Sequence, residues 1–529
     1  MDSLEPAKGT CNWLIKHELF MQWFENPKGF LWIRGKPGSG KSMAMKHALM
    51  HMKSVANSDE VVASYFIHGQ GLDVQKSVLG LYRSLLHQIY PYSSKSFSSL
   101  TERYEKYIRD AGESTQDAKW SWMEGEIRQC LLDGLPKACK RIPITIFVDA
   151  LDEAGEVQAK KIFKDLEVLV SSSSDAACQL RACVSCRHYP DIALNSGMTL
   201  VMEDLNGPDI ASVLRTQIDA LDLFNDAEKS SIKMEVLRRS EGVFQWTSLV
   251  TEAIIRTRER GDSFKVSLKH MDRVPRSLDL LYKALLEAED ELTPKHEIQQ
   301  RCKLFQWVLL SARPLSPQEL QHALALDREM TYRSIYDYTN SDEFITKKNL
   351  RTKIKNLSKG LIQLKGTFET GRAEFIHQSV LDFLRNSSGL QMLSGNSTME
   401  AGQLGHFEIS RRCLRYLFMA EIENVLYSLR NYDFGFNETR DPSTPVGWIG
   451  VEFPFIAYAW RYWIFHAVSA HQEGIGEEDL NIDLLKLFQW PNDQLVIQRW
   501  RPLCGFIGSP LQAWFEAFHG QSRSHELWR

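Results

Sequence analysis

From residue 29 to residue 206 the chain alternates short apolar runs with longer segments whose apolar positions recur every three or four residues. Phe30 to Arg34 is such a run, flanked by Gly29 and Gly35, and it predicts a buried strand leading into a turn. A helix from Ser42 to about Lys53 is expected next. Val61 to Ile67, Ile144 to Asp149, Ala182 to Cys186 and Thr199 to Glu203 have the same strand character. Between the second and third runs, Val78, Tyr82, Leu85, Leu86 and Ile89 fall on one face of a helix. Strands alternating with helices predict a doubly wound, mainly parallel sheet, with that apolar stripe packed on it. Ser171 to Ser174 with Asp175 reads as a loop, because strand pattern resumes within ten residues.

Beyond residue 207 the strand signal thins. Glu241 to Ile255, Leu278 to Glu289 and Cys302 to Leu326 are amphipathic and predict a helical region. Leu361 to Leu364 and Glu374 to Ile376 suggest a small hairpin, followed by a helix near Ser379, where Ser379 and Asp382 resemble a capping box. The expected architecture is an α/β domain with a parallel sheet over residues 1–206. A helical domain follows over 207–330, a winged-helix-like module over 331–400, and an α-helical C-terminal region over 401–529.

With 529 residues, the chain exceeds one ordinary core, which agrees with several packed units. A formal charge of -4 supplies no basic field for non-specific nucleic-acid binding, so nucleic acid is not the expected partner. Nine cysteines are too few and too scattered for a disulfide scaffold, and a reducing, cytoplasmic setting is expected. No stretch reaches roughly 18 uninterrupted apolar residues, so no membrane span is expected.

The chemistry concentrates at strand ends. Gly35, Lys36, Pro37, Gly38, Ser39, Gly40, Lys41 and Ser42 match G-x-x-x-x-G-K-[ST], with a strand before and a helix after. Such a loop curls backbone N–H groups around phosphates, helped by the helix N-terminus. Lys41 is expected to neutralise the β- and γ-phosphates of ATP or ADP, with GTP left open, and Ser42 to ligate Mg2+. Ile144 to Asp149 ends an apolar strand in a carboxylate suited to hold Mg2+ through its water shell. Ala150 follows where many fast P-loop ATPases carry the glutamate that orients water, so hydrolysis is expected to be slow. Asp152 or Glu153 remains to polarise a water if the turn brings one of them back. At the next strand end, Arg187 is a candidate reader of the γ-phosphate, the alternative being a surface arginine paired with a nearby acid. Cys183 and Cys186 form C-x-x-C without a second pair at zinc spacing, and are read as core thiols.

Gly9-Thr10-Cys11 with Trp13 and Trp23, Gln75-Lys76-Ser77 with Leu85 to Gln88, and Asp149 to Glu153 together resemble a family. So do Gly242 to Trp246, Val274-Pro275 before Leu281-Tyr282, Arg313 to Ser316, and His377-Gln378-Ser379. The family is that of NACHT-domain signal-transducing ATPases of the STAND class and NOD-like receptor type. The nearest resemblance is to fungal receptors followed by ankyrin or propeller repeats, which act in heterokaryon incompatibility or innate immunity. The resemblance implies a switch that ADP closes and ATP opens, with slow ATPase activity gating self-association, and a protein partner that remains unknown. It also implies that Pro275 packs near adenine and that His377 contacts the ADP β-phosphate.

Two departures stand out. His68-Gly69-Gln70-Gly71 replaces the Asn-Ala-Arg-Gly often found after the second strand, and Met43 replaces a frequent threonine. The resemblance starts almost at residue 1, so no N-terminal effector domain is expected. Ser509 to Trp514 resembles the opening of an ankyrin repeat, so a truncated receptor, a partial gene model and a standalone regulator all fit. A nucleotide-binding scaffold and a phosphotransferase of unknown acceptor are the alternative functions; the second would need an arginine-rich lid that the sequence does not display.

Overall fold

Four consecutive buried residues, Phe30 to Ile33, make β1 (Gly29–Arg34) a strand covered on both faces. The computed structural model describes residues 10–57, 59–70, 73–111, 123–171, 177–188, 197–264, 274–287, 295–326, 332–341, 344–386, 398–429 and 451–472. The chain divides into two units, Met1–Leu281 and Tyr282–Arg529, the division falling inside the helix Leu278–Glu287.

In the first unit β1 is joined by β2 (Val61–Phe66), β3 (Ile144–Asp149), β4 (Leu180–Cys186) and β5 (Met198–Val201). All are parallel, in the order β2-β3-β4-β1-β5, and Arg34 at the end of β1 lies opposite both Cys186 and Val201. The alternation of β1 side chains builds two cores. Phe30 and Trp32 share one face with α2 (Val78–Ile89), α3 (Glu124–Ala138) and α4 (Glu156–Ser171), where Trp32 and Phe163 rings lie 4.8 Å apart. Leu31 and Ile33 share the other face with α1 (Lys41–Val55), Trp23 and Phe147. Each large side chain buried this way contributes about 1.5–3 kcal/mol relative to exposure. The expected apolar stripe of α2 is fully buried.

After β5 come α5 (Gly207–Asp219), α6 (Asp226–Ser240) and α7 (Phe244–Glu259). Two boundaries differ from the sequence reading. The last strand ends at Val201, and Met202–Leu205 forms a helical turn instead, because the Glu203 carboxylate is drawn to the backbone N–H of Lys36. The segment from Glu241 starts its helix only at Phe244, since Glu241 and Gly242 both have positive φ (45° and 77°). Among the described residues one cysteine pair, Cys139–Cys178, is bonded, joining the end of α3 to the approach of β4. Scattered cysteines gave no sign of it; Gln179 N–H donates to the Cys139 carbonyl at 2.8 Å and brings the two segments together. Cys183 and Cys186 are buried free thiols.

The second unit holds α8 (Lys295–Leu310), α9 (Pro317–Ala325), α10 (Lys347–Leu357), the antiparallel hairpin β6 (Ile362–Lys365) and β7 (Arg372–Phe375), and α11 (Gln378–Arg385). Then come α12 (Thr398–Leu417), the helix Ala420–Leu429 and α13 (Ile456–Gln472). The amphipathic stretch Cys302 to Leu326 is two helices rather than one. Pro314 interrupts it, Ser316 and Glu319 form a capping box, and Pro317 opens α9. The start of α11 also differs: His377, not Ser379, is the N-cap, its Nδ1 accepting the Ser379 N–H at 3.1 Å. Residues 509–514 lie outside the described residues. Among the described residues no helix is long and apolar enough to cross a membrane.

Candidate functional site

The C-terminal ends of β1 to β5 converge on one edge, and each contributes to the site. After β1, Ser39 N–H donates to the Lys36 carbonyl at 3.2 Å, closing a turn with Pro37 second and Gly38 third, at φ 73°. That is a type II pattern, which needs glycine at its third position. Gly40, at φ 94°, is the N-cap of α1. A Cβ on Gly35 would lie 2.7 Å from Ser39 Oγ and 2.8 Å from a Glu203 carboxylate oxygen, so the loop is closed tightly at its base. Lys41 Nζ donates to the carbonyls of Gly35 and Lys36, both at 2.9 Å. Burial pulls the ammonium below its ordinary pKa; Asp152 opposes this, Arg187 reinforces it, and Asp149 opposes it.

At the end of β3, Asp149 is 3% exposed. Burial raises its pKa, offset by hydrogen bonds from Ser185 and Ser42. Ser185 Oγ, from β4, donates to Asp149 Oδ1 at 2.5 Å and accepts the Ala150 N–H at 2.9 Å. Ala150 is left-handed (φ 56°, ψ 48°) and turns the chain into the 3-10 turn Leu151–Ala154. That turn delivers both acids to neighbours. Asp152 pairs with Arg187 Nε at 2.8 Å and accepts the Arg187 N–H at 3.1 Å. Glu153 accepts the Gly69 N–H at 2.7 Å, from the segment after β2, and burial pushes its carboxyl up to about 7.

The turn after β5 braces the loop. Glu203 accepts the Lys36 N–H at 3.1 Å and meets His188 Nε2 at 2.5 Å. Although burial acts to raise it, hydrogen bonds from His188 and Lys36 hold its pKa below the ordinary value. Lys36 Nζ pairs with Glu241 at 3.2 Å, a solvated contact of small energetic weight.

The structure therefore gathers Gly35 to Ser42, Asp149, Asp152, Glu153 and Arg187 at one strand edge. The Pro275 carbonyl accepts Trp246 Nε1 at 2.7 Å, one residue beyond Gln245 in the first turn of α7. His377 belongs to the second unit, where its Nδ1 caps α11 and lies 2.7 Å from Ser379 Oγ. Sequence reasoning missed Ser185, Glu203 and the Gly69 N–H. Ser185 leaves a faint signal as a hydroxyl inside the apolar run of β4, whereas the other two are visible only once the strands are ordered.

A nucleotide with magnesium fits the residues present. The loop is curled, Lys41 sits under it, and the Ser39 hydroxyl is buried without a partner among the described residues. Among the described residues no cluster of three or more His, Cys, Asp or Glu gathers to hold a metal. Mg2+ needs none, since it is bound through one or two protein groups together with substrate phosphates.

Fold and site thus define a P-loop nucleotide-binding protein, with a parallel sheet followed by helical modules. The family model described as Nephrocystin 3, N-terminal, matches residues 9–187. Vegetative incompatibility protein HET-E-1 of Podospora anserina is 23% identical over 497 residues, 88% of this chain. Azaphilone pigments biosynthesis cluster protein L of Monascus ruber is 26% identical over 230 residues, 42% of this chain. The chain spans 33% and 41% of the lengths of these two curated relatives. Among solved structures, a STAND protein with a tetratricopeptide repeat sensor from Pyrococcus horikoshii is similar over 97% of this chain and 62% of its own. Its TM-score is 0.35 and its identity 15%. A Walker-type ATPase of Pyrococcus abyssi is similar over 69% of this chain and 93% of its own, with TM-score 0.27 and 14% identity. The family model over residues 9–187 and the fungal relative over most of the chain support the resemblance to NACHT-type STAND proteins.

Proposed function

We propose that the chain is a nucleotide-gated switch that holds ATP or ADP with Mg2+, hydrolyses slowly, and self-associates in its ATP form. The observation carrying this reading is that both acids after Asp149 are engaged beside a complete P-loop, Asp152 by Arg187 and Glu153 by the Gly69 N–H. Both carboxylates are held by protein donors. In this reading Gly38 to Ser42 hold the phosphates through backbone N–H groups, Lys41 neutralises them, and Ser42 with Asp149 holds the cation. Mg2+, when bound, supplies charge neutralisation across the β- and γ-oxygens. Arg187 either stays on Asp152 or turns to a γ-phosphate, so the state of that pair reports which nucleotide is present. His377 and Pro275 enter through the family resemblance alone, as the groups that distinguish ADP from ATP and pack near the base.

The test is to identify the nucleotide that co-purifies and to follow hydrolysis over many turnovers. The expected result is bound adenine nucleotide and a rate far below the roughly 10 per second median of enzymes. Rapid steady turnover would replace the switch with a motor or remodelling ATPase.

A further inference from the structure

Asn206 stands at the N-cap of α5, where asparagine is among the preferred residues because its oxygen accepts an N–H of the first turn. Here it makes no such bond. Its Nδ2 instead donates to two carbonyls, Ser39 and Gly242, both at 2.8 Å. The residue is completely buried, and its Oδ1 has no partner among the described residues. A favoured cap is given up and a buried oxygen left unsatisfied, so that one amide can tie the P-loop to the segment that opens α7.

The same segment touches the neighbouring loop residues. Gln245 N–H, in the first turn of α7, donates to the Gly38 carbonyl at 3.2 Å. A Cβ on Gly38 would lie 2.6 Å from Gln245 Cβ, and one on Gly40 3.2 Å from the Phe244 ring. Gly242, with φ 77°, packs where a Cβ would come within 2.4 Å of Glu203. Loop residues 38, 39 and 40 are thus each held by the stretch 242–245 or by Asn206. Any adjustment of the loop to phosphates has to be carried into the starts of α5 and α7.

We propose that Asn206 is a positioning residue for the P-loop, bridging it to the start of α7 so that phosphate binding is transmitted into the helices after β5. This rests on the nucleotide reading above. Asn206→Ser supplies a hydroxyl able to cap α5 but too short to reach both carbonyls; Asn206→Ala removes the bridge and supplies no cap. MgADP binding by calorimetry, hydrogen exchange with and without MgADP, and the nucleotide-free thermal midpoint are measured on the full chain. In wild type, MgADP is expected to protect residues 36–44 and also 243–250. In Asn206→Ser the nucleotide-free midpoint is expected to hold while MgADP binds about tenfold more weakly. At saturation its residues 36–44 are protected and 243–250 are not. Wild-type affinity with protection of 243–250 retained in Asn206→Ser overturns the proposal. So does a lowered midpoint in both variants with unchanged protection, which marks a merely structural residue. A wild type that takes up no MgADP overturns the nucleotide reading itself, a result separate from either variant's behaviour.

Discussion

The two units differ in how their buried ionisable groups are partnered. In the first, Lys41, Asp149 and Glu153 sit at one sheet edge with pKa values displaced by burial and only partly restored by one another. In the second, a cluster of buried histidines and tyrosines is neutral and paired off, and buried carboxylates such as Glu319 and Glu374 are matched by Arg313 and Lys365. His406 and His466 share a hydrogen bond at 2.8 Å, Tyr458 OH lies 2.9 Å from His466 Nε2 and accepts the Ala312 N–H at 3.0 Å, and His322 meets Tyr338 OH at 2.7 Å. Charges left incompletely compensated inside a protein are tolerated where a ligand completes them. Neutral groups with neighbours on every side specify a core and need no ligand.

The largest expected effect tests the first half of that contrast. Lys41→Ala deletes the cation facing the phosphates, and nucleotide affinity should fall at least about a hundredfold, since charge-assisted bonds are the strong ones. Calorimetry checks the affinity, and hydrogen exchange in α12 and α13 should stay as in wild type. Equal affinity in the mutant would sink the P-loop assignment.

Acid should act on the second unit. Burial lowers the pKa values of His322 and His406 to about 4 and that of His466 well below its ordinary value. The unfolded chain, with histidine near 6.5, therefore binds more protons, and the stability these groups contribute is present above that pH and lost as pH falls toward 4. Each histidine at a value near 4 corresponds to about 3 kcal/mol. Glu153 has the reverse sign: its raised value contributes stability that is fully present below the ordinary carboxylate range and is lost as pH rises from there through about 7. Hydrogen exchange between pH 7 and pH 5 should thus show α12 and α13 loosening before the sheet. Simultaneous loosening would dissolve the contrast.

His377 links the comparison to the switch. If its imidazole contacts an ADP phosphate, His377→Ala should weaken ADP about tenfold more than ATP, the size of one charge-assisted hydrogen bond. Its capping bond at Ser379 predicts instead a lowered thermal midpoint with an unchanged ADP-to-ATP affinity ratio. Measuring both quantities separates the roles.

How much of this was legible in the sequence follows from where each signal resides. The strands of the sheet were readable because their apolar runs are continuous, and the P-loop because its glycines are required at Gly38 and Gly40 by local geometry. Arg313 to Ser316 was visible as a family marker, yet its local task is plain only in the structure. Arg313 forks onto Glu319 at 2.8 and 2.5 Å, and Ser316 caps α9. Ser185, Glu203 and Asn206 were not readable, because each acts on a segment at least 35 positions away in the chain. The engagement of Asp152 and Glu153 was hidden for the same reason: a turn that a left-handed alanine sets decides where both acids point.

That alanine carries the smallest and last expected effect. Ala150 is one of four non-glycine residues at positive φ among the described residues, and it stands directly after the cation-holding aspartate. Left-handed backbone costs a residue with a Cβ about 1–2 kcal/mol. Ala150→Gly would relieve that, while glycine's larger unfolded-state freedom takes back about 0.5–1 kcal/mol. The balance is a stabilisation of about 0.5 kcal/mol, or a rise of about 1–2 °C in the midpoint of a unit this size. Were the strain kept for function, the relieved variant should also loosen the turn that presents Asp152 to Arg187, and its hydrolysis rate should change while its affinity for ADP does not. The measurement is the nucleotide-free midpoint beside the turnover rate. A lowered midpoint would mean that the Ala150 methyl, at 8% exposure, contributes more by packing than the backbone loses by strain, and would remove stored strain from the account of the site.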